Sequence, residues 1–168
     1  MSQAWERLLE EELAKPGGLV ILGAGNTRKA DDAAGVFCAT LIRNNIKAVR
    51  PDIMIIEGGV TPENETGRIR RFGPSLVLII DAALGGHPPG TIFVVKHGDI
   101  LQDDLSTHHM PLSLLIRYFE ASLECRVVCL GIEPGLVEAE APLSSEVKLA
   151  IASLAERIVD ILKRKLLV

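Results

Sequence analysis

The chain has 168 residues, a formal net charge of −4, 48% hydrophobic residues and only 4% aromatic ones. That length suits one domain with an aliphatic core, so residues 1–168 are read as a single domain with 1–17 as an N-terminal helical extension. The acidic balance argues against nucleic acid or an anionic membrane as the main partner, and no apolar run reaches the length of a membrane span.

The start, Met1 to Glu6, lacks the basic residues and apolar run of a signal peptide, so a cytoplasmic protein is expected. Cys38, Cys125 and Cys129 match no zinc or redox spacing and sit in apolar surroundings, which reads as buried free thiols.

Ser2 can cap a first helix with Trp5, Leu8, Leu9 and Leu13 on one face, ended by Pro16-Gly17-Gly18. Leu19 to Leu22 is a first strand. Gly23 to Gly35 follows as a strand-to-helix corner, where α/β folds place their chemistry. A helix from Asp32 to Asn44 comes next, with Ala34, Phe37, Cys38 and Leu41 as its buried stripe and Gly35 allowing close packing on the strand.

The adjacent carboxylates Asp31 and Asp32 are read first as helix caps. A dinucleotide fingerprint is the competing reading, with Asp52 or Glu57 as the ribose acid. Only Gly23-x-Gly25 is present, and Arg28 stands where the third glycine belongs.

The second strand, Ile53 to Ile56, leads into Glu57-Gly58-Gly59 and a short helix through Arg70. The third, Leu76 to Ile80, is apolar throughout, as in a strand covered on both faces, and ends at Asp81. A Gly- and Pro-rich loop leads to a fourth strand, Thr91 to Val95. Pro111 opens a helix with Leu112, Leu115, Ile116, Phe119 and Leu123 on one face. Val127 to Ile132 is the fifth strand, and Ser144 or Ser145 caps the last helix.

Strands and helices mostly alternate, which predicts a three-layer α/β/α sandwich with a mostly parallel five-stranded sheet. The third and fourth strands join without a helix, so one antiparallel strand is expected, at an edge.

Loops after the C-termini of parallel strands share one edge. Asp31, Asp32, Asp81 and His108 can therefore converge there, and two carboxylates with one imidazole suit a divalent ion such as nickel, zinc or manganese. Blander roles compete. Asp81 can hold its loop by an Asx turn, His108 can cap its helix with His109 as a rival, and His87 and His97 read as surface residues.

The motifs in order are Leu22-Gly23-Ala24-Gly25-Asn26, Asp31-Asp32-Ala33-Ala34-Gly35, Glu57-Gly58-Gly59, Pro62-Glu63-Asn64 and Ile79-Ile80-Asp81-Ala82. Pro89-Gly90-Thr91-Ile92, Ser106-Thr107-His108-His109-Met110-Pro111-Leu112 and Leu130-Gly131-Ile132-Glu133-Pro134 complete the set. From Leu19 to the C-terminus the chain resembles the hydrogenase maturation endopeptidases, in particular the hydrogenase 3 type that serves formate hydrogenlyase.

The resemblance implies an endopeptidase that removes the C-terminal extension of a nickel-loaded [NiFe]-hydrogenase large-subunit precursor. It implies nickel supplied by the substrate, no organic cofactor, and Asp32, Asp81 and His108 as metal-contacting and catalytic residues. Asp31 then keeps the capping role, and Glu57, Gly58 and Gly59 lie in a loop that helps choose the substrate.

Several residues depart from the family pattern. Glu57 stands where aspartate is usual, Val60 replaces a hydroxyl residue, Arg28 and Lys29 add charge, and His109 replaces an amide. No Ser-His-Asp pattern or nucleophile elbow is present, so water is the expected nucleophile. A monomer is expected. The alternatives are a nucleotide-binding α/β module on Gly23-x-Gly25 and a metallohydrolase carrying its own metal.

Overall fold

The structure is a computed structural model, which describes residues 3–46, 50–96 and 111–165. The described residues form five strands: β1 (Leu19–Ala24), β2 (Ile53–Gly59), β3 (Leu76–Ala82), β4 (Ile92–Val94) and β5 (Arg126–Ile132). The α-helices are α1 (Ala4–Ala14), α2 (Ala34–Asn45), α3 (Thr66–Phe72), α4 (Leu112–Ser122) and α5 (Ser145–Lys165). Short 3-10 helices at Ala30–Ala33 and Pro62–Glu65 lead into α2 and α3.

The sheet order is β2-β1-β3-β5-β4. The first four strands in that order pair in parallel, and β4 runs antiparallel to β5 at the edge, as expected from its helix-free connection. Leu76 to Ile80 are all buried, so β3 is covered on both faces.

Alternation along the strands divides the core. Leu19, Ile21, Leu78, Ile80, Leu130 and Ile132 face a layer made by α1, α2 and α5. Val20, Leu22, Val77, Ile79 and Cys129 face the layer of α3 and α4. The expected three-layer α/β/α sandwich is therefore the one observed.

One local expectation fails in an instructive way. Phe37 does not join the buried stripe of α2; it is 38% exposed. Gly35 presses against β3, where a Cβ would lie 2.1 Å from the Ile80 carbonyl oxygen. Residue 35 thus sets the inward face, Cys38, Ala39 and Ile42 continue it, and Phe37 lies about 200° around the helix from Gly35. The expected cap Ser2 lies outside the described residues. Gln3 holds the N-cap position of α1 without a side-chain cap bond, and its amide oxygen accepts from the Trp5 indole at 2.6 Å.

The last helix begins at Ser145, and the preceding Ser144 carbonyl accepts from the Lys148 amide at 3.0 Å, while the Ser144 hydroxyl donates to Asp31. Pro111 sits one residue earlier than expected, at the N-cap of α4 rather than inside its first turn. No helix among the described residues is long and apolar enough to cross a membrane.

Candidate active site at the C-terminal edge of the sheet

β1 ends beside β3, with Gly23 opposite Ile80, so the Ala24-Gly25-Asn26 exit runs next to Asp81. The chain then turns back on itself. Gly25 has φ +133°, and a Cβ there would lie 1.9 Å from the Asp32 carbonyl oxygen. Only glycine lets Asp32 come that close. The Asp32 carboxylate accepts the Asn26 backbone N–H at 2.9 Å, and its own N–H donates to the Lys29 carbonyl at 2.9 Å. Asp32 is 3% exposed and Asp81 is 1% exposed. Two buried carboxylates thus sit at neighbouring strand exits.

This geometry also bears on the dinucleotide reading. The tight glycine makes room for the protein's own backbone, and Asp32 takes a loop N–H that a phosphate would otherwise need. Asp52 precedes β2 at the opposite edge and pairs with Arg50 at 2.6 Å. Neither observation suits a bound pyrophosphate and ribose.

Asp31 does not cap its own helix, contrary to expectation; the 3-10 helix has no side-chain cap bond. Asp31 reaches across to the loop before α5. One oxygen accepts from the N–H groups of Gly135 (2.9 Å) and Leu136 (2.7 Å) and from the Ser144 hydroxyl (2.8 Å). The other accepts from the Ser144 N–H at 2.7 Å. Burial by itself raises the Asp31 pKa. The donors from Ser144, Leu136 and Gly135 together outweigh it and hold the carboxyl below its ordinary range. The pair differs because the backbone turns between the two residues, sending Asp31 to a distant loop and Asp32 to its own.

Glu57 ends the apolar part of β2 opposite Gly23. Its carboxylate accepts from Thr40 (2.6 Å) and from Arg43 (2.8 Å), both on α2. Gly59 follows with φ +61°, and its carbonyl accepts the Gly25 N–H at 2.9 Å. The Glu57-Gly58-Gly59 segment therefore borders the Asp32 loop, while the Glu57 charge is held toward α2.

Sequence reasoning gave no role to Glu133. It is only 4% exposed, at the C-terminal end of β5, and accepts the Gly85 N–H at 2.7 Å. Its main chain exchanges bonds with Gly90 and Thr91. An acid directly after an apolar strand, at the edge where Asp81 also ends its strand, was the available signal.

His108, with His97 and His109, lies outside the described residues. His87 is exposed, as expected, and its ring lies against Phe93 with centroids 4.6 Å apart. Among the described residues, no three His, Cys, Asp or Glu side chains cluster closely enough to hold a metal ion. All three cysteines are free thiols, with Cys38 and Cys129 buried and Cys125 half-buried.

Comparison with known proteins agrees with this architecture. The family model for HycI-type hydrogenase maturation proteases matches residues 38–161. The hydrogenase 3 maturation protease of Escherichia coli K12 is 33% identical over 140 residues, covering 83% of this chain and 87% of that protein. The crystal structure of the [NiFe] hydrogenase maturation protease HycI from Thermococcus kodakarensis KOD1 superposes with a TM-score of 0.80. It is 32% identical and the match covers 93% of this chain and 99% of that one. The solution structure of the endopeptidase HycI from Escherichia coli gives a TM-score of 0.72 at 32% identity, over 85% and 90% of the two chains. The chain belongs to the hydrogenase maturation protease family.

Proposed function

We propose that this chain, an endopeptidase of hydrogenase maturation, removes the C-terminal extension of a [NiFe]-hydrogenase large-subunit precursor. In this reading the nickel already inserted in the substrate is what the site recognises. The carrying observation is the pair of buried carboxylates, Asp32 and Asp81, at neighbouring strand exits in the fold of this family. Carboxylate oxygens with an imidazole suit nickel.

His108 is the third residue of the proposed set. The connectivity of α4 favours it. The Ser122 end of α4 leads directly into β5, whose Arg126 N–H bonds Ser75 at the opposite edge. An 11-residue helix rises about 16 Å from there, which takes its Leu112 end toward the edge of Asp81. Strand alternation also puts Asp81 on the face of Val77 and Ile79, the one covered by α3 and α4.

The precursor's nickel supplies positive charge that the two carboxylates can meet. Docking through it aligns the scissile peptide beside the site. Such orientation alone can supply ~7–11 kcal/mol of a barrier. Water then attacks the peptide carbonyl, with one aspartate taking its proton as general base and returning it to the departing amine as the C–N bond breaks. A precursor lacking nickel loses that contact and is rejected. Glu57, Gly58 and Gly59 form part of the wall that the precursor meets. The three free thiols are in keeping with a reducing, cytoplasmic setting, and the protein acts as a monomer.

The test is mass spectrometry of a large-subunit precursor incubated with the protein, with and without nickel loaded. Loss of a C-terminal peptide only from the loaded form is the expected result. Cleavage of both forms removes nickel as the checkpoint, and cleavage of neither form of a cognate precursor overturns the reading.

A further inference from the structure

Ala30 has φ +42° without being glycine, a conformation that persists only where the surroundings hold it. It immediately precedes the acidic pair. What holds it is the next residue. Asp31 is 0% exposed and receives four hydrogen bonds on its carboxylate from Gly135, Leu136 and Ser144. Its N–H donates to the Leu136 carbonyl at 2.8 Å. Main chain and side chain of one residue are thus both fastened to the loop 133–144.

A second fastening lies three residues before Asp31. The Glu140 N–H donates to the Arg28 carbonyl at 2.7 Å, and the Arg28 guanidinium pairs with the Glu140 carboxylate at 2.7 Å. The far loop is braced in turn: Pro89 lies against Gly135, and the Gly90 N–H donates to Glu133.

We infer that Asp31 is a positioning residue for Asp32: clamping loop 133–144 onto the 3-10 helix keeps Ala30 left-handed and so aims the Asp32 carboxylate at Asn26. Releasing Asp31 lets Ala30 relax to negative φ. That rotation turns the following peptides and carries Asp32 off the Asn26 N–H. The consequence for the reaction rests on the reading of Asp32 as a site carboxylate; the coupling of Asp31 to Asp32 does not.

The Asn26 amide reports the Asp32 position directly, because it donates to that carboxylate. Hydrogen exchange is therefore measured on the full chain and on Asp31→Asn, which leaves one acceptor oxygen facing four donors. Protection is expected to fall at Gly135, Leu136 and Ser144, and by about tenfold at Asn26, while Ile21 and Ile79 in the strands stay protected. Processing of the nickel-loaded precursor falls by about tenfold in parallel.

Unchanged protection at Asn26, with loss at the three loop amides, overturns the inference and leaves Asp31 a tether for the loop alone. Ala30→Gly supplies the second arm, since glycine adopts positive φ without strain. The fall at Asn26 caused by Asp31→Asn is expected to be smaller in the Ala30→Gly background; an equal fall overturns the route through Ala30. If Asp31→Asn fails to fold, Ser144→Ala removes one donor and is expected to lower Asn26 protection by about threefold, and no change there overturns the inference. Normal processing by Asp32→Asn would remove Asp32 from the reaction, while the exchange data would still decide the coupling.

Discussion

The two edges of the sheet hold acidic residues differently, although at the C-terminal edge the exposed Glu57 and Glu140 also meet arginines. At the N-terminal edge, acids meet cations. Glu12 accepts from Arg126 and Lys15, both at 2.6 Å, and Asp52 pairs with Arg50 at 2.6 Å. At the C-terminal edge, Asp31, Asp32 and Glu133 are buried and accept from backbone N–H groups. An arginine cancels the charge of its partner, whereas N–H dipoles solvate a carboxylate and leave its net charge in place. The first arrangement serves stability. The second fixes buried carboxylates in place through main-chain donors of the loops at that edge.

The largest expected effect separates the edges by function. Asp32→Ala or Asp81→Ala should lower precursor processing by at least about 100-fold with cooperative unfolding retained. Glu12→Ala should leave processing near the wild-type rate. Processing assays alongside thermal melts check this, and a slow Glu12→Ala variant would break the contrast.

Acid stability gives the next effect. The Asp31 carboxyl is held below its ordinary range, so its contribution is present above the unfolded pKa and is lost as pH falls through the folded value. The window lies below about pH 4. Asp31→Ala should cost about 3 kcal/mol at neutral pH and flatten the loss of stability in that window. Urea melts from pH 7 to pH 2.5 measure both.

A smaller effect is expected at the other edge. Burial raises the Glu12 pKa, but the bonds and charges of Lys15 and Arg126 win and hold it low. Glu12→Gln should cost about 0.5–1 kcal/mol, an amount that shrinks in high salt because Arg126 and Lys15 are partly solvent-exposed. A salt-independent loss would place this pair with the buried acids instead.

Thiol labelling sharpens the contrast with the least disturbance. Burial pushes the Cys38 thiol up to about 12, and burial with the nearby Asp81 charge raises Cys129 well above its usual range. Cys125, just before β5 at the N-terminal edge, is raised by burial but remains half-buried. It should react first with a thiol reagent in the native protein, with Cys38 and Cys129 following only on unfolding.

Much of the fold was legible because it rests on local pattern. Leu76 to Ile80 read as a doubly covered strand from its unbroken apolar run. The short helix-free link from Asp81 to Ile92 dictated an antiparallel edge strand, since a parallel neighbour needs a long crossover. The acidic pair was visible at a strand-to-helix corner, a position set by Gly23, Gly25 and the apolar run before them.

By itself, then, the sequence determined the layers, the strand directions and the edge where acids gather, because apolar periodicity and turn residues act over a few neighbours. Tertiary structure alone decided the rest. Phe37 faces outward because Gly35 locks one face of α2 onto Ile80. Asp31 serves the loop before α5 because its donors, Gly135 and Ser144, stand more than 100 residues away. The Glu57 charge is held toward α2 because Thr40 and Arg43 reach it there. Each of these depends on which distant donor or backbone arrives at a given side chain, and that is a property of the packed chain.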